Sequence, residues 1–79
     1  MPLAFVLISA KAGFEDEIAK EIKKIENIIE THSVYGVYDV IAKVEADTME
    51  KLKDTVHWKI RGLDNVKSTL TMIVMKGKR

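Results

Sequence analysis

The chain has 79 residues, thirteen basic and twelve acidic, with a formal charge of +1. That length fits one domain, residues 1–79, and the balanced charge excludes a dedicated nucleic-acid binder, which shows a clear basic excess. No cysteine is present, which excludes disulfides and thiolate metal sites, so a chain this small is expected to gain its extra burial by oligomerisation.

Leu3 to Ala10 is almost continuously apolar, which predicts a strand covered on both faces and central in its sheet. It is too short for a membrane span and no basic residue precedes it, so it reads neither as a signal peptide nor as an anchor. A cytoplasmic location is expected from this and from the absence of cysteine. The chain lacks glutamine and is rich in Lys, Glu and Ile, a composition that leans towards a thermophile.

Ala12-Gly13 makes a turn, and from Phe14 the apolar period becomes helical. Phe14, Ile18, Ile22 and Ile25 form one stripe, with Ala19 beside it. Acidic residues crowd the first turn and lysines follow, as the helix dipole prefers. Ile28 to Val34 then alternates as a strand, Gly36 breaks it, and Tyr38 to Val44 resumes with β-branched and aromatic content, giving a hairpin. A second helix is expected after Asp47, which with Glu50 three residues on nearly matches a capping box. Its stripe is Met49, Leu52, Val56, Ile60 and Leu63, and Gly62 and Asn65 supply stop signals. Val66 to Met75 closes the chain as a long strand, followed by the basic tail Lys76-Gly77-Lys78-Arg79, read as a solvated terminus.

The order β-α-β-β-α-β predicts an α+β, ferredoxin-like sandwich: a four-stranded antiparallel sheet with both helices on one face. The other face should be polar if it meets water, but the first strand is apolar on both sides. In the last strand Val66, Leu70, Met72 and Val74 share one side, and Thr69, Thr71, Ile73 and Met75 the other. The open face therefore calls for a cover, and a second copy of the same sheet would supply it as an isologous dimer. Trp58 lies about half a turn from the second apolar stripe at about 100° per residue. It either bends back over a neighbouring loop or anchors a further subunit contact.

The densest stretch is the hairpin Val34-Tyr35-Gly36-Val37-Tyr38-Asp39. Gly36 lets neighbouring amides approach a small anion such as a carboxylate, and Asp39 offers a partner to an ammonium group. Together these suit an α-amino acid, although a plain hairpin whose aspartate satisfies local amides has the same composition. Thr69 and Thr71 either hydrogen-bond a polar ligand or are ordinary strand threonines. The two histidines, His32 and His57, stand 25 residues apart, with no second-ligand spacing around either.

Taken together, these residues resemble the effector domain of the Lrp/AsnC family of transcription regulators, also called the regulation-of-amino-acid-metabolism domain. Ile28 and Glu30 match the entry to the second strand. Gly36-Val37-Tyr38-Asp39 matches the Gly-x-aromatic-Asp turn, and Leu63, Val66, Thr69 and Thr71, running into Met72-Ile73-Val74-Met75, match the last strand. The family's usual glycine before the valine is Asn65 here, and asparagine tolerates positive φ. The resemblance implies a dimer built through the sheets, with dimers assembling into octameric or decameric rings. It also implies a small amino-acid effector bound between dimers by Gly36, Val37, Tyr38 and Asp39, with help from Thr69 and Thr71 of the same or a neighbouring subunit, and no cofactor. The family's helix-turn-helix does not precede the first strand, so the resemblance implies a stand-alone form that does not bind operator DNA itself but could modulate full-length regulators.

Two other readings remain from sequence. One is a small dimeric enzyme of the cofactor-free oxygenase or isomerase type, by analogy of fold, with His32 or His57 as its base. The other is a purely structural assembly protein. No nucleophile, metal cluster or phosphate loop supports catalysis.

Overall fold

The computed structural model describes residues 1–75; the basic tail 76–79 lies outside the described residues. The elements follow the expected order: β1 (Leu3–Ala10), α1 (Glu15–Lys23), β2 (Ile28–Ser33), β3 (Val40–Glu45), α2 (Met49–Asp54) with a π-helical continuation (Thr55–Ile60), and β4 (Val66–Ile73). The strands form one antiparallel sheet in the order β2-β3-β1-β4. This is the ferredoxin-like α+β arrangement predicted from the alternating periods, with β1 central as its continuous apolar run requires.

Alternation along β1 sorts the sheet into two faces. Ala4, Val6 and Ile8 are completely buried, and the same layer holds Val40, Ala42 and Val44 of β3. From the helices, Ile18, Ala19, Ile22, Leu52, Val56 and Ile60 close onto it. These are the apolar stripes of both helices, so burial of one helix face against one sheet face forms the core. Two members of the stripes stand out of it: Phe14 precedes α1 and is partly exposed, and Met49 is exposed in the first turn of α2.

Several local expectations are corrected. The cap of α2 is Thr48 rather than Asp47: the Thr48 hydroxyl accepts the Lys51 N–H at 3.1 Å. Thr48 has the extended backbone that an N-cap needs, so the helix begins one residue later than the Asp47–Glu50 spacing suggested. The helix widens after Asp54, where the Arg61 N–H reaches back five residues to the Val56 carbonyl at 3.0 Å. Gly62 is needed directly after it, because a Cβ there would overlap the Trp58 carbonyl oxygen. The strands around the hairpin are shorter than expected, ending at Ser33 and resuming at Val40, and β4 ends at Ile73 rather than Met75.

The largest correction concerns β4. Its pairing with β1 slips between Ser9 and Ala10, so Ser9 faces Ser68 while Ala10 faces Val66. The bulge places Lys67 between them and turns Val66 to the helix side, where it packs on the core. Val66 therefore does not share a face with Leu70, Met72 and Val74. Asn65 enters the strand at a φ of 71°, the left-handed conformation that asparagine tolerates.

Candidate functional site

Asp39 ends the hairpin loop and joins it to the end of the central strand β1. Its N–H donates to the Ile8 carbonyl at 2.9 Å, its carbonyl accepts the Val34 N–H at 2.8 Å, and its Oδ2 accepts the Ala10 N–H at 2.8 Å. The carboxylate is thus held in a fixed direction, and Oδ1 takes no hydrogen bond from the described residues. Gly36 has φ of +157°, with open space where a Cβ would stand. The loop tip is bare: Tyr35 and Val37 are almost fully exposed, while Tyr38 and Asp39 are half-buried. Val37, Tyr38 and Asp39 border a shallow cavity of about 370 Å³ with Ser9, Ala10 and Lys67.

Thr69 and Thr71 do lie on one side of β4. They stand opposite Ile8 and Val6, whose side chains face the helices. There they border a second, larger cavity of about 650 Å³, closed below by Leu52, Val56 and Ile73. The structure therefore brings Gly36 to Asp39 together as one loop and Thr69 with Thr71 as one strand face. It does not bring the loop and the threonines into one cavity of this chain; Lys67 and Ser68 border both cavities.

Sequence reasoning missed the charge of the larger cavity. Lys53, His57, Arg61 and Lys67 line it, and among the described residues no carboxylate does. The signal was present, since Lys53, His57 and Arg61 recur at intervals of four beside the stripe Leu52, Val56 and Ile60. Lys67 was not legible, because only the bulge at the start of β4 sets its direction.

The remaining candidates take other places. His32 lies on the open sheet face, its Nε2 3.1 Å from Glu30 Oε1, with Lys43 Nζ 3.7 Å from Glu30 Oε2. The His32 hydrogen bond first, and then the Lys43 charge, hold the Glu30 carboxyl below the ordinary glutamate range. Trp58 is 69 % exposed. It meets the His57 ring edge-on, with centroids 4.6 Å apart. Among the described residues no group of His, Asp and Glu is placed to hold a metal ion, and no helix is long and apolar enough to cross a membrane.

Comparison with known proteins places the chain in a family. Residues 3–78 match the family described as the Lrp/AsnC ligand binding domain. The HTH-type transcriptional regulator FL11 of Pyrococcus furiosus is 35 % identical over 74 residues, covering 94 % of this chain and 48 % of that protein. The chain thus spans about half the length of the curated regulators it matches. A homocitrate synthase of Sulfolobus acidocaldarius is 34 % identical over 73 residues, which are 89 % of this chain and only 15 % of that enzyme. The crystal structure of TTHA0845 from Thermus thermophilus superposes with a TM-score of 0.92 at 30 % identity, covering 100 % of this chain and 99 % of that one.

Proposed function

The chain belongs to the Lrp/AsnC ligand-binding domain family, and on that footing we propose that it is an effector-binding and assembly module. It binds a small amino acid at a site shared between subunits of a homo-oligomer. The observation that carries this reading is the separation just described. The loop Gly36-Val37-Tyr38-Asp39 has chemistry suited to the α-amino and α-carboxylate groups, while Thr69 and Thr71 offer hydroxyls in a separate cavity. The bare tip of one subunit closing on the helix–β4 cavity of another would complete the site.

Asp39 suits the ammonium role because Oδ2 is anchored by Ala10 while Oδ1 is left to a ligand. The loop amides around Gly36 suit the carboxylate. Assembly begins at the open sheet face. Phe5 pairs with Met72 there and Leu7 with Leu70, and Leu70, Met72 and Val74 are each nearly half exposed. An isologous dimer buries this patch, and contacts between dimers extend it to a ring of eight or ten chains. Corresponding domains of full-length Lrp/AsnC regulators in the cytoplasm are the natural further partners, since they carry the same fold.

No catalytic role enters this reading. His32 is engaged by Glu30 on the open face, and the relatives that share the domain are named for functions as different as transcription regulation and homocitrate synthesis. That contrast supports a ligand-reading module used beside several activities.

The test is mass in solution, with and without a mixture of the twenty amino acids, followed by calorimetry with each. Binding of at least one amino acid that is lost in Asp39→Asn, with the fold retained, supports the reading. A wild-type protein that binds none of them and keeps one mass throughout overturns it.

A further inference from the structure

The helix–β4 cavity is uniformly basic. Lys53 and His57 reach it from the second helix, Arg61 from its end and Lys67 from the β4 bulge, and among the described residues no aspartate or glutamate lines it. Among the described residues, none of Lys53, Arg61 and Lys67 takes part in an ion pair; the lysines that do are Lys24 and Lys43. The chain as a whole carries only +1, so this is local concentration rather than general basicity. Like charges gathered around one concave surface repel each other, and a bound anion relieves that cost. The cavity adds the hydroxyls of Thr69 and Thr71 and an apolar floor. Its volume of about 650 Å³ falls within the range of small-molecule sites.

We infer that the effector taken by this site is an α-amino acid with a second carboxylate on its side chain. This rests on the shared-site reading above and specifies its ligand class. The hairpin loop of one subunit holds the α-amino and α-carboxylate groups. The side chain of the amino acid enters the cavity of the other subunit, where Thr69 and Thr71 donate hydrogen bonds and Lys53, Arg61 and Lys67 receive the negative charge. A lysine or arginine side chain would meet the like charges of Lys53, Arg61 and Lys67 and be disfavoured.

The experiment is calorimetry at low and at 0.5 M salt with L-aspartate, L-glutamate, L-asparagine, L-glutamine and L-lysine, on the wild type and on Lys53→Gln and Arg61→Gln. Both substituted residues are exposed, and circular dichroism checks that the variants fold. The dicarboxylates are expected to bind about tenfold or more tighter than their amides, to weaken with salt, and to lose that margin in both variants. Amides or lysine binding as tightly as the dicarboxylates overturns the charge inference. If that binding still depends on Asp39, the shared-site reading survives it. Absence of binding by these five and by the rest of the twenty in the calorimetric series above overturns both.

Discussion

Asp39 does structural work before any ligand arrives, because the Ala10 N–H that it accepts lies at the end of the central strand β1. Asp39→Ala leaves that partly buried donor unpaired and should cost about 1–2 kcal/mol, read as a lower urea midpoint. Asp39→Asn keeps an acceptor oxygen and should cost less, which separates folding from binding. Thr48→Ala should lose about 1 kcal/mol through the missing cap, whereas Asp47→Ala should stay within about 0.5 kcal/mol. The reverse order in urea melts would return the cap to Asp47. Glu30 brings a pH dependence. Its folded pKa is lowered by His32 and then Lys43, so its contribution is present above the ordinary glutamate value and fades as pH falls through the lowered one. The stability difference between wild type and Glu30→Gln should therefore shrink on acidification through that window. Because the group is exposed, a small difference is expected.

The second helix shows how an element can follow its sequence pattern and still differ in shape. Leu52, Val56 and Ile60 are buried as their spacing requires, yet the hydrogen bond from Arg61 to Val56 spans five residues. The basic side of this helix, Lys53, His57 and Arg61, lines the cavity beside β4. Gly62 permits the close return of the chain under Trp58. Gly62→Ala should cost about 1–3 kcal/mol as overpacking against backbone, checked by thermal unfolding. A variant as stable as the wild type would show that this end of the helix shifts freely. At β4 the bulge has a similar consequence. One slipped residue turns Val66 inward and sets Lys67 between two cavities.

For the whole molecule, the decisive feature is an unequal pair of sheet faces. The helix-covered face holds the core. The open face is apolar along β1 and β4, through Phe5, Leu7, Leu70 and Met72, and more polar along β2 and β3, through Glu30, His32 and Lys43. Lys43 lies 5.9 Å from the centre of the Phe5 ring, at the border between the two. A lysine in place of Leu70 would put an unpaired charge into the proposed dimer contact. Leu70→Lys should give a monomer by mass, with a melting temperature that no longer rises with protein concentration, and it should bind no amino acid even though Asp39 is intact. Retained assembly in this variant would move the contact away from the open face.

The sequence alone determined the order of the elements, the two buried stripes, the central place of β1 and the excess of apolar residues on the open face. Each follows from local period and composition, since a helix or strand buries whatever its own repeat lines up. It also marked Gly36 to Asp39 and the two threonines as chemically suitable groups, and its family pattern agrees with the match over residues 3–78. Only the tertiary structure decided which groups meet. The loop and the threonines are separated because Thr69 and Thr71 face the helices from an edge strand, while the loop projects from the end of the sheet. The basic lining of the larger cavity arises where a helix and a bulged strand approach from distant parts of the chain. No sequence period records that approach, because direction across a bulge depends on the partner strand and not on neighbouring residues.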